Sequence, residues 1–317
     1  MADSLSIDHA VRSARCVLFA YHDTGYAVLE TLLALGAPIA ALFTHHDDPH
    51  EEIWWRSCAD LAQGNSIPTF APERIDDDVI AQVAALRPDV IYSVYYRYLL
   101  PDAILKAAKL GAFNLHGSLL PKYRGRAPVN WMIVKGEREG GLTLHHMVAR
   151  ADAGDIVAQK SCRIDDDDTA LTLYRKLVPL GAELIREYHP LIVAGRAPRI
   201  KQDLARGSYF GRRGPQDGRI DWRWPARRIF NLVRAVTHPY PGAFCFASGR
   251  KLFVWETRIG YEDGYRGAPG EIIGETAAGI EVAAGDGSVI VTRVQFEGDA
   301  EAAAAALFER ERPRALL

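Results

Sequence analysis

The run Cys16-Val17-Leu18-Phe19-Ala20, followed by Tyr21-His22-Asp23-Thr24-Gly25 and an amphipathic stretch as far as Gly36, decides the fold class. Consecutive apolar residues suit a strand covered on both faces, and the stretch after the loop spaces its apolar residues as a helix does. A second apolar run, 39–43, follows at once, and the same order recurs through 89–95 and 112–115. Such repetition predicts an α/β, Rossmann-like, mostly parallel open sheet whose strands are joined by helices. The first loop lacks G-x-G-x-x-G, whose glycines let a backbone approach a pyrophosphate, so no NAD is expected.

Length and composition set the frame around this run. With 317 residues, 48% hydrophobic and 25% charged, the chain has material for two cores. A formal charge of -2 gives no global basic field, so no nucleic acid partner is expected. Cys16, Cys58, Cys162 and Cys245 lie far apart and form no zinc spacing; reduced thiols and a cytoplasmic location are the economical reading. Residues 1–15 lack an apolar signal region and are expected as a flexible extension. The longest apolar stretch, 32–43, is short and holds Gly36 and Pro38, so no membrane span is expected.

A first domain is expected over 16–195. Gly195, Pro198, Gly207, Gly211, Gly214 and many arginines mark 196–214 as a linker. The remainder, 215–317, opens with a helical stripe of Ile229, Leu232, Val233 and Val236. Short alternating runs separated by glycine-rich turns follow, which suggest a small β-barrel. An alanine-rich tail, 300–308, reads as helix.

The chemistry gathers at Ala112-Phe113-Asn114-Leu115-His116-Gly117-Ser118-Leu119-Leu120-Pro121-Lys122-Tyr123-Arg124-Gly125-Arg126-Ala127-Pro128. On a strand, Asn114 and His116 share a face. An amide there donates to a developing oxyanion while an imidazole moves a proton, the needs of acyl transfer. An isolated N-x-H equally describes a strand end with a core histidine. Further on, Arg150-Ala151-Asp152-Ala153-Gly154-Asp155 reads as a loop that either turns the chain or brings Asp152 back to orient His116. Ile91-Tyr92-Ser93-Val94-Tyr95-Tyr96-Arg97-Tyr98 ends a strand with four tyrosines, either a wall for a flat heterocycle or packing. His45, His46, Asp47, Asp48, His50 and Glu51 resemble a metal set in composition only. A solvated loop before a helix beginning at Trp54 and Trp55 explains them, and no metal is expected. The acids 165–168 read as capping for the helix that follows near Thr169.

With Asn114-x-His116, the 121–128 loop and Asp152-Ala153-Gly154-Asp155 in order, the chain resembles the folate-dependent formyltransferases over nearly its whole length. Asp217-Gly218-Arg219-Ile220-Asp221-Trp222 and Pro239-Tyr240-Pro241-Gly242-Ala243-Phe244 look like that family's C-terminal signatures. The resemblance implies a catalytic domain over 16–195, an OB-like barrel over 215–317, and 10-formyltetrahydrofolate as one-carbon donor. It makes Asn114 the oxyanion stabiliser, His116 the proton carrier and Asp152 the group that raises the pKa of His116. It also implies a folate pocket of Tyr98, Leu99, Leu100, Arg126, Val148, Ala149, Arg150, Ala151 and Asp152.

Residues 19–25, Tyr95-Tyr96-Arg97 and Phe210-Gly211-Arg212-Arg213 look most like the formyltransferase half of the bifunctional polymyxin-resistance enzymes, which serves lipid A modification. That half N-formylates UDP-4-amino-4-deoxy-L-arabinose. The dehydrogenase domain of those enzymes has no counterpart before Leu317, so a separate dehydrogenase partner is an expectation. Methionyl-tRNA formyltransferase and dTDP-amino-sugar N-formyltransferases are the competing readings, and a binding module without catalysis is another. Residues 206–317 hold 16 Lys+Arg against 14 Asp+Glu, a weak field for tRNA. Arg212, Arg213, Asn231 and Arg234, near the expected domain junction, are the candidate nucleotide contacts.

Overall fold

The computed structural model describes residues 2–49, 52–262, 264, 267–311, 313 and 315–317. The chain divides into two compact units: one comprises 1–128, 139–163 and 174–210, the other 129–138, 164–173 and 211–317. The change near 210 falls inside the expected linker. The two short inserts 129–138 and 164–173, however, group with the C-terminal residues, so the first unit is not one continuous run.

The first unit is built on β1 (Cys16–Ala20), β2 (Ile39–Phe43), β3 (Thr69–Phe70), β4 (Val90–Val94), β5 (Gly111–His116), β6 (Arg124–Gly125), β7 (Glu139–His146), β8 (Ile156–Arg163) and β9 (Tyr209–Phe210). Its helices are α1 (Ala2–Ser13), α2 (His22–Ala34), α3 (Cys58–Gly64), α4 (Asp77–Leu86) and α5 (Asp102–Ala107). The main sheet runs β3-β2-β1-β4-β5-β7-β8. Pairing is parallel from β3 to β5 and antiparallel at β7 and β8. Every residue of β1 and β4 is buried, which is why both read as unbroken apolar runs rather than alternations. Phe19 stacks on Phe43 with ring centroids 4.7 Å apart, above a core that includes Val83, Ile91 and Ile104.

The second unit holds α8 (Ala226–Val236) and an antiparallel sheet of β10 (Ala243–Ala247), β11 (Arg250–Tyr261), β12 (Ile272–Thr276), β13 (Gly279–Ala283) and β14 (Ser288–Phe296), in the order β10-β11-β14-β13-β12. Two further helices, α6 (Pro128–Val134) and α7 (Ala170–Val193), precede α8 in the chain. The stripe Ile229, Leu232, Val233 and Val236 is buried, and α8 packs on β11. The last residues bridge both edges of this sheet: Leu316 pairs with Ala247 beside β10, and Ala315 with Glu271 beside β12. That bridging covers edges that would otherwise present open backbone groups. Residues 304–311 form a last helix, as the alanine-rich tail suggests.

Several expectations are revised. Residues 2–13 form α1 with Val11 buried, not a loose extension. The linker is partly structured: Leu204–Arg206 makes a short 3-10 turn and β9 pairs with β6. Trp54 and Trp55 precede α3, which starts at Cys58 capped by the Ser57 side chain. Their rings instead pack on neighbours, Trp55 on His22 (4.0 Å) and Trp54 on Tyr174 (5.3 Å). Tyr92 is fully buried, its hydroxyl hydrogen-bonded to His189 Nδ1 at 2.8 Å, so it belongs to the core and not to a wall.

Burial pushes His189 and His45 down to about 4 and His22 down to about 3, with Arg97 adding to the shift at the latter two. Folded-state values below the unfolded 6.5 mean that acid favours the unfolded chain. This stability is therefore complete above about pH 6.5 and is lost as pH falls toward 4. We expect denaturant midpoints to drop between pH 7 and pH 5, with His189 alone contributing on the order of 1–2 kcal/mol. His189→Gln, which keeps a hydrogen-bonding group beside Tyr92, should show a shallower drop; an equal slope in both proteins contradicts the assignment.

Candidate active site

Strand β5 ends in a pocket of polar groups because its last turn of pleat carries Asn114 and His116 on one face, with Leu115 buried on the other. It lies between β4, where Ser93 is the partner of Asn114, and β7, where His145 is the partner of Asn114 and Thr143 that of His116. The following loop is tied down over its length. The Thr143 hydroxyl donates to the Ser118 carbonyl (2.6 Å) and accepts from the Leu120 amide (3.0 Å). Gln159 Nε2 donates to the Leu120 carbonyl (2.9 Å), and the Ser118 hydroxyl donates to the Lys122 carbonyl (2.7 Å).

This loop returns its own backbone to the histidine. His116 Nε2 lies 2.7 Å from the Tyr123 carbonyl, which only accepts, so Nε2 carries the proton and Nδ1 is the basic nitrogen of the neutral ring. Nδ1 faces Asp152 Oδ1 at 3.6 Å. Tyr123 is held in turn by a bond from its amide to the Ser208 hydroxyl (2.8 Å) and by stacking on Phe210 at 5.1 Å.

Asp152 arrives on the turn after β7, in a left-handed conformation with φ 53°. Its Oδ2 accepts from the Gly125 amide at 2.9 Å, and Gln202 Nε2 donates to the carbonyls of Asp152 (3.0 Å) and Gly154 (2.6 Å). Gly125 has φ +96°, and a Cβ there would meet the Phe210 carbonyl at 2.2 Å, so only glycine fits between Asp152 and β9. At Gly117, beside His116, a Cβ would lie 2.7 Å from the Tyr95 hydroxyl, so that side chain would have to shift.

Electrostatics follow from this packing. Burial pulls the pKa of His116 below the ordinary imidazole value, against upward pushes from Asp152 and the Tyr123 carbonyl. The upward push expected of Asp152 is present, but burial of the ring outweighs it, so the resting ring is neutral. Burial pushes the Asp152 carboxyl upward, yet His116, His145 and the Gly125 amide together hold it well below the usual carboxylate range. A neutral base beside a fixed anion can take a proton and keep it as an ion pair.

Residues 29–188 match the formyl transferase family, and residues 213–312 match the formyl transferase C-terminal domain family. The chain belongs to the formyl transferase family. Its fold is shared by solved members and relatives. One is WlaRD, a sugar 3N-formyl transferase crystallised with dTDP and 5-N-formyl-THF (TM-score 0.68, 21% identity, 91% of this chain and 99% of that one). Another is an N-formyltransferase from Helicobacter canadensis in complex with folinic acid and dTDP-3-aminofucose (TM-score 0.69, 21% identity, 88% and 98%). HypX from Aquifex aeolicus, solved with tetrahydrofolic acid, matches over 93% of this chain but 46% of its own (TM-score 0.63, 17% identity). The chain thus spans about half the length of HypX.

The structure brings Asn114, His116 and Asp152 together, Asn114 Nδ2 lying 3.5 Å from Asp152 Oδ1. Of the folate-pocket candidates, Tyr98, Leu99 and Val148 expose 37%, 75% and 47% of their surface. Arg126 is exposed and donates to the Arg97 carbonyl at 3.2 Å, while Ala149 and Arg150 continue the exposed turn and Ala151 is half-buried. Leu100 departs from the set: it is buried in the core with Ile104. In the second unit, Arg213 lies over the Trp131 ring (4.5 Å) and donates to the Asp217 carbonyl, and Arg212 is exposed. Asn231 and Arg234 are buried together. Arg234 Nε donates to Asn231 Oδ1 (2.9 Å) and its Nη1 to the carbonyls of Asp165 (3.0 Å) and Asp168 (2.8 Å), and the side chain also lines a cavity with Arg227, Phe230 and Trp255.

Two further features escaped the sequence. His145, directly across β5 from Asn114, is 3.1 Å from Asn114 Nδ2 and 3.7 Å from Asp152 Oδ1. Gln202, inside the expected linker, anchors the turn of Asp152. Residues 142–148 alternate as a strand does, but only strand register places one of the two histidines, His145, opposite Asn114. In the stretch 44–52, His45 Nε2 accepts from the Arg97 amide (3.0 Å) and Asp47 accepts from the Tyr21 hydroxyl (2.5 Å); His50 and Glu51 lie outside the described residues.

His116 followed by NMR should titrate below 6.5. Because Asp152 is an upward influence, Asp152→Asn should move the midpoint lower still; an unchanged or higher midpoint would contradict the pairing.

Proposed function

We propose that this chain transfers a formyl group from 10-formyltetrahydrofolate to the amine of a nucleotide-linked amino sugar. The observation that carries the reading is the convergence of Asn114, His116 and Asp152 at the end of one strand, with the basic nitrogen of His116 on the side of the anion. Exposed apolar Leu99, Val148 and Tyr98 and the exposed Arg126 suit a ligand that joins a flat ring to carboxylates, as a folate does. The sugar N-formyltransferases that share the fold were solved with folates and dTDP ligands, which supports the same substrate class.

Bound 10-formyltetrahydrofolate supplies the formyl carbon and, through N10, the leaving nitrogen. Asn114 Nδ2 donates to the formyl oxygen as the amine nitrogen adds and negative charge develops there. His116 Nδ1 takes the proton released by the new C–N bond, and Asp152 stabilises the resulting imidazolium. The same proton returns to N10 as the old C–N bond breaks, so charge and atoms balance. No enzyme nucleophile takes part, and the buried Cys16, Cys58 and Cys245, all pushed up to about 12, are poorly suited to act as one.

The motif segments favour UDP-4-amino-4-deoxy-L-arabinose as acceptor, and the dTDP ligands of the structural relatives favour a dTDP-linked amino sugar. A panel with 10-formyltetrahydrofolate and, separately, UDP-4-amino-4-deoxy-L-arabinose, dTDP-4-amino-4,6-dideoxyglucose, dTDP-3-aminofucose and methionyl-tRNA decides between them. One nucleotide sugar should be formylated far faster than the tRNA. Asn114→Ala should lower turnover on that sugar by about a hundredfold or more. Near-normal turnover in this variant removes Asn114 from the mechanism, and selective formylation of the tRNA rejects the sugar reading.

A further inference from the structure

The Asn114 amide is useful to the reaction only if its nitrogen, and not its oxygen, faces the formyl group. Backbone structure cannot decide this, because an amide presents donor and acceptor ends of nearly the same shape. Its neighbours do. His145 Nδ1 lies 2.9 Å from the carbonyl of His146. A carbonyl only accepts, so Nδ1 of His145 bears a proton, and in that tautomer Nε2 is the nitrogen that accepts. That nitrogen lies 3.1 Å from Asn114 Nδ2. On the same end of the amide, Asp152 Oδ1, a second acceptor, lies at 3.5 Å. Turned over, the amide would set its oxygen against both.

We infer that His145 is a positioning residue that fixes the Asn114 amide with its nitrogen turned into the site. One Nδ2 hydrogen is held by His145. The other has only the long contact to Asp152 and is the hydrogen an oxyanion can capture. The histidine is suited to this task by its place in the fold. It is 98% buried on β7, directly across from Asn114, and its own orientation is set by a main-chain atom, not a mobile side chain. Asp152 Oδ1 closes the same cluster, 3.6 Å from His116 Nδ1 and 3.7 Å from His145 Nε2. This role rests on the formyl-transfer reading, but the orientation of the amide is a property of the resting protein and is tested apart from activity.

The test compares His145→Gln with His145→Asn. Glutamine can place an acceptor where Nε2 stands, whereas asparagine matches only the Nδ1 end. Two readouts are taken on the full chain: steady-state kinetics with the sugar formylated by the wild type, and the Asn114 side-chain amide signals in selectively labelled protein. We expect His145→Asn to lose roughly tenfold or more in kcat with little change in KM for the folate, since an oxyanion contact is made in the transition state. Its Asn114 amide pair should collapse toward the shifts of a free side chain. His145→Gln should recover most of the kcat and the resolved amide pair. Equal kcat and unchanged amide signals in His145→Asn overturn the inference, as does equal loss in both variants with the amide pair intact. Absence of formyl transfer in the wild type rejects the proposed function and leaves the amide signals to decide the role of His145.

Discussion

The site is organised by the need to hold one carboxylate in a buried place. Asp152 is ionised although it is largely out of water, and an unpaired charge there would cost several kcal/mol. Its neighbours supply the compensation: the Gly125 amide donates to Oδ2, the Asn114 amide approaches Oδ1, and His116 and His145 stand next to Oδ1 where a proton taken up is held as an ion pair. Asn114 and His116 come from β5, His145 from β7 and Gly125 from the loop after β5, so that loop, the turn after β7 and the β5–β7 register must all be formed before the cluster is complete. The left-handed backbone at Asp152 and the glycine at 125 are local costs accepted to bring these groups together.

The framework around this anion is ordinary α/β physics put to use. A fully buried β1 and β4 give a rigid floor, and β5, next in the sheet, presents its polar pair at the carboxyl end, where such sheets bind ligands. Antiparallel β7 sits beside β5 where a parallel strand would leave the site open. It runs back from Thr143 opposite His116, past His145 opposite Asn114, and the turn that follows returns Asp152 to the pair. A parallel neighbour would have needed a long crossover to do the same.

Much of this was legible in the residues. Unbroken apolar runs gave the buried strands, and two-residue spacing put Asn114 and His116 on one face. The link to Asp152, 36 positions on, came from resemblance, because loop composition alone fits a simple turn as well. His145 was invisible as a functional group: period-two patterning marks a strand but not which residue faces which across it. Trp54 and Trp55 were placed in a helix because aromatic residues carry no start signal, whereas Ser57 caps the helix three positions later. Arg234 and Asn231 are candidate ligand contacts because they lie near the expected domain junction. Their burial becomes understandable only when the carbonyls of Asp165 and Asp168, distant in sequence, are seen to need donors.

The protons of this site are addressed largely through main-chain atoms: the carbonyl of Tyr123 for His116, the carbonyl of His146 for His145, and the amide of Gly125 for Asp152. Side-chain replacement at positions 123 or 146 cannot delete these partners. Only a change of backbone path can, as proline at 125 would do by removing the amide. The proton wiring is therefore insulated from much ordinary sequence drift at those positions, and two proteins with little identity along this loop can retain the same acid–base arrangement. Divergence is then free to act on the exposed side chains of the same segments, where ligand preference is decided.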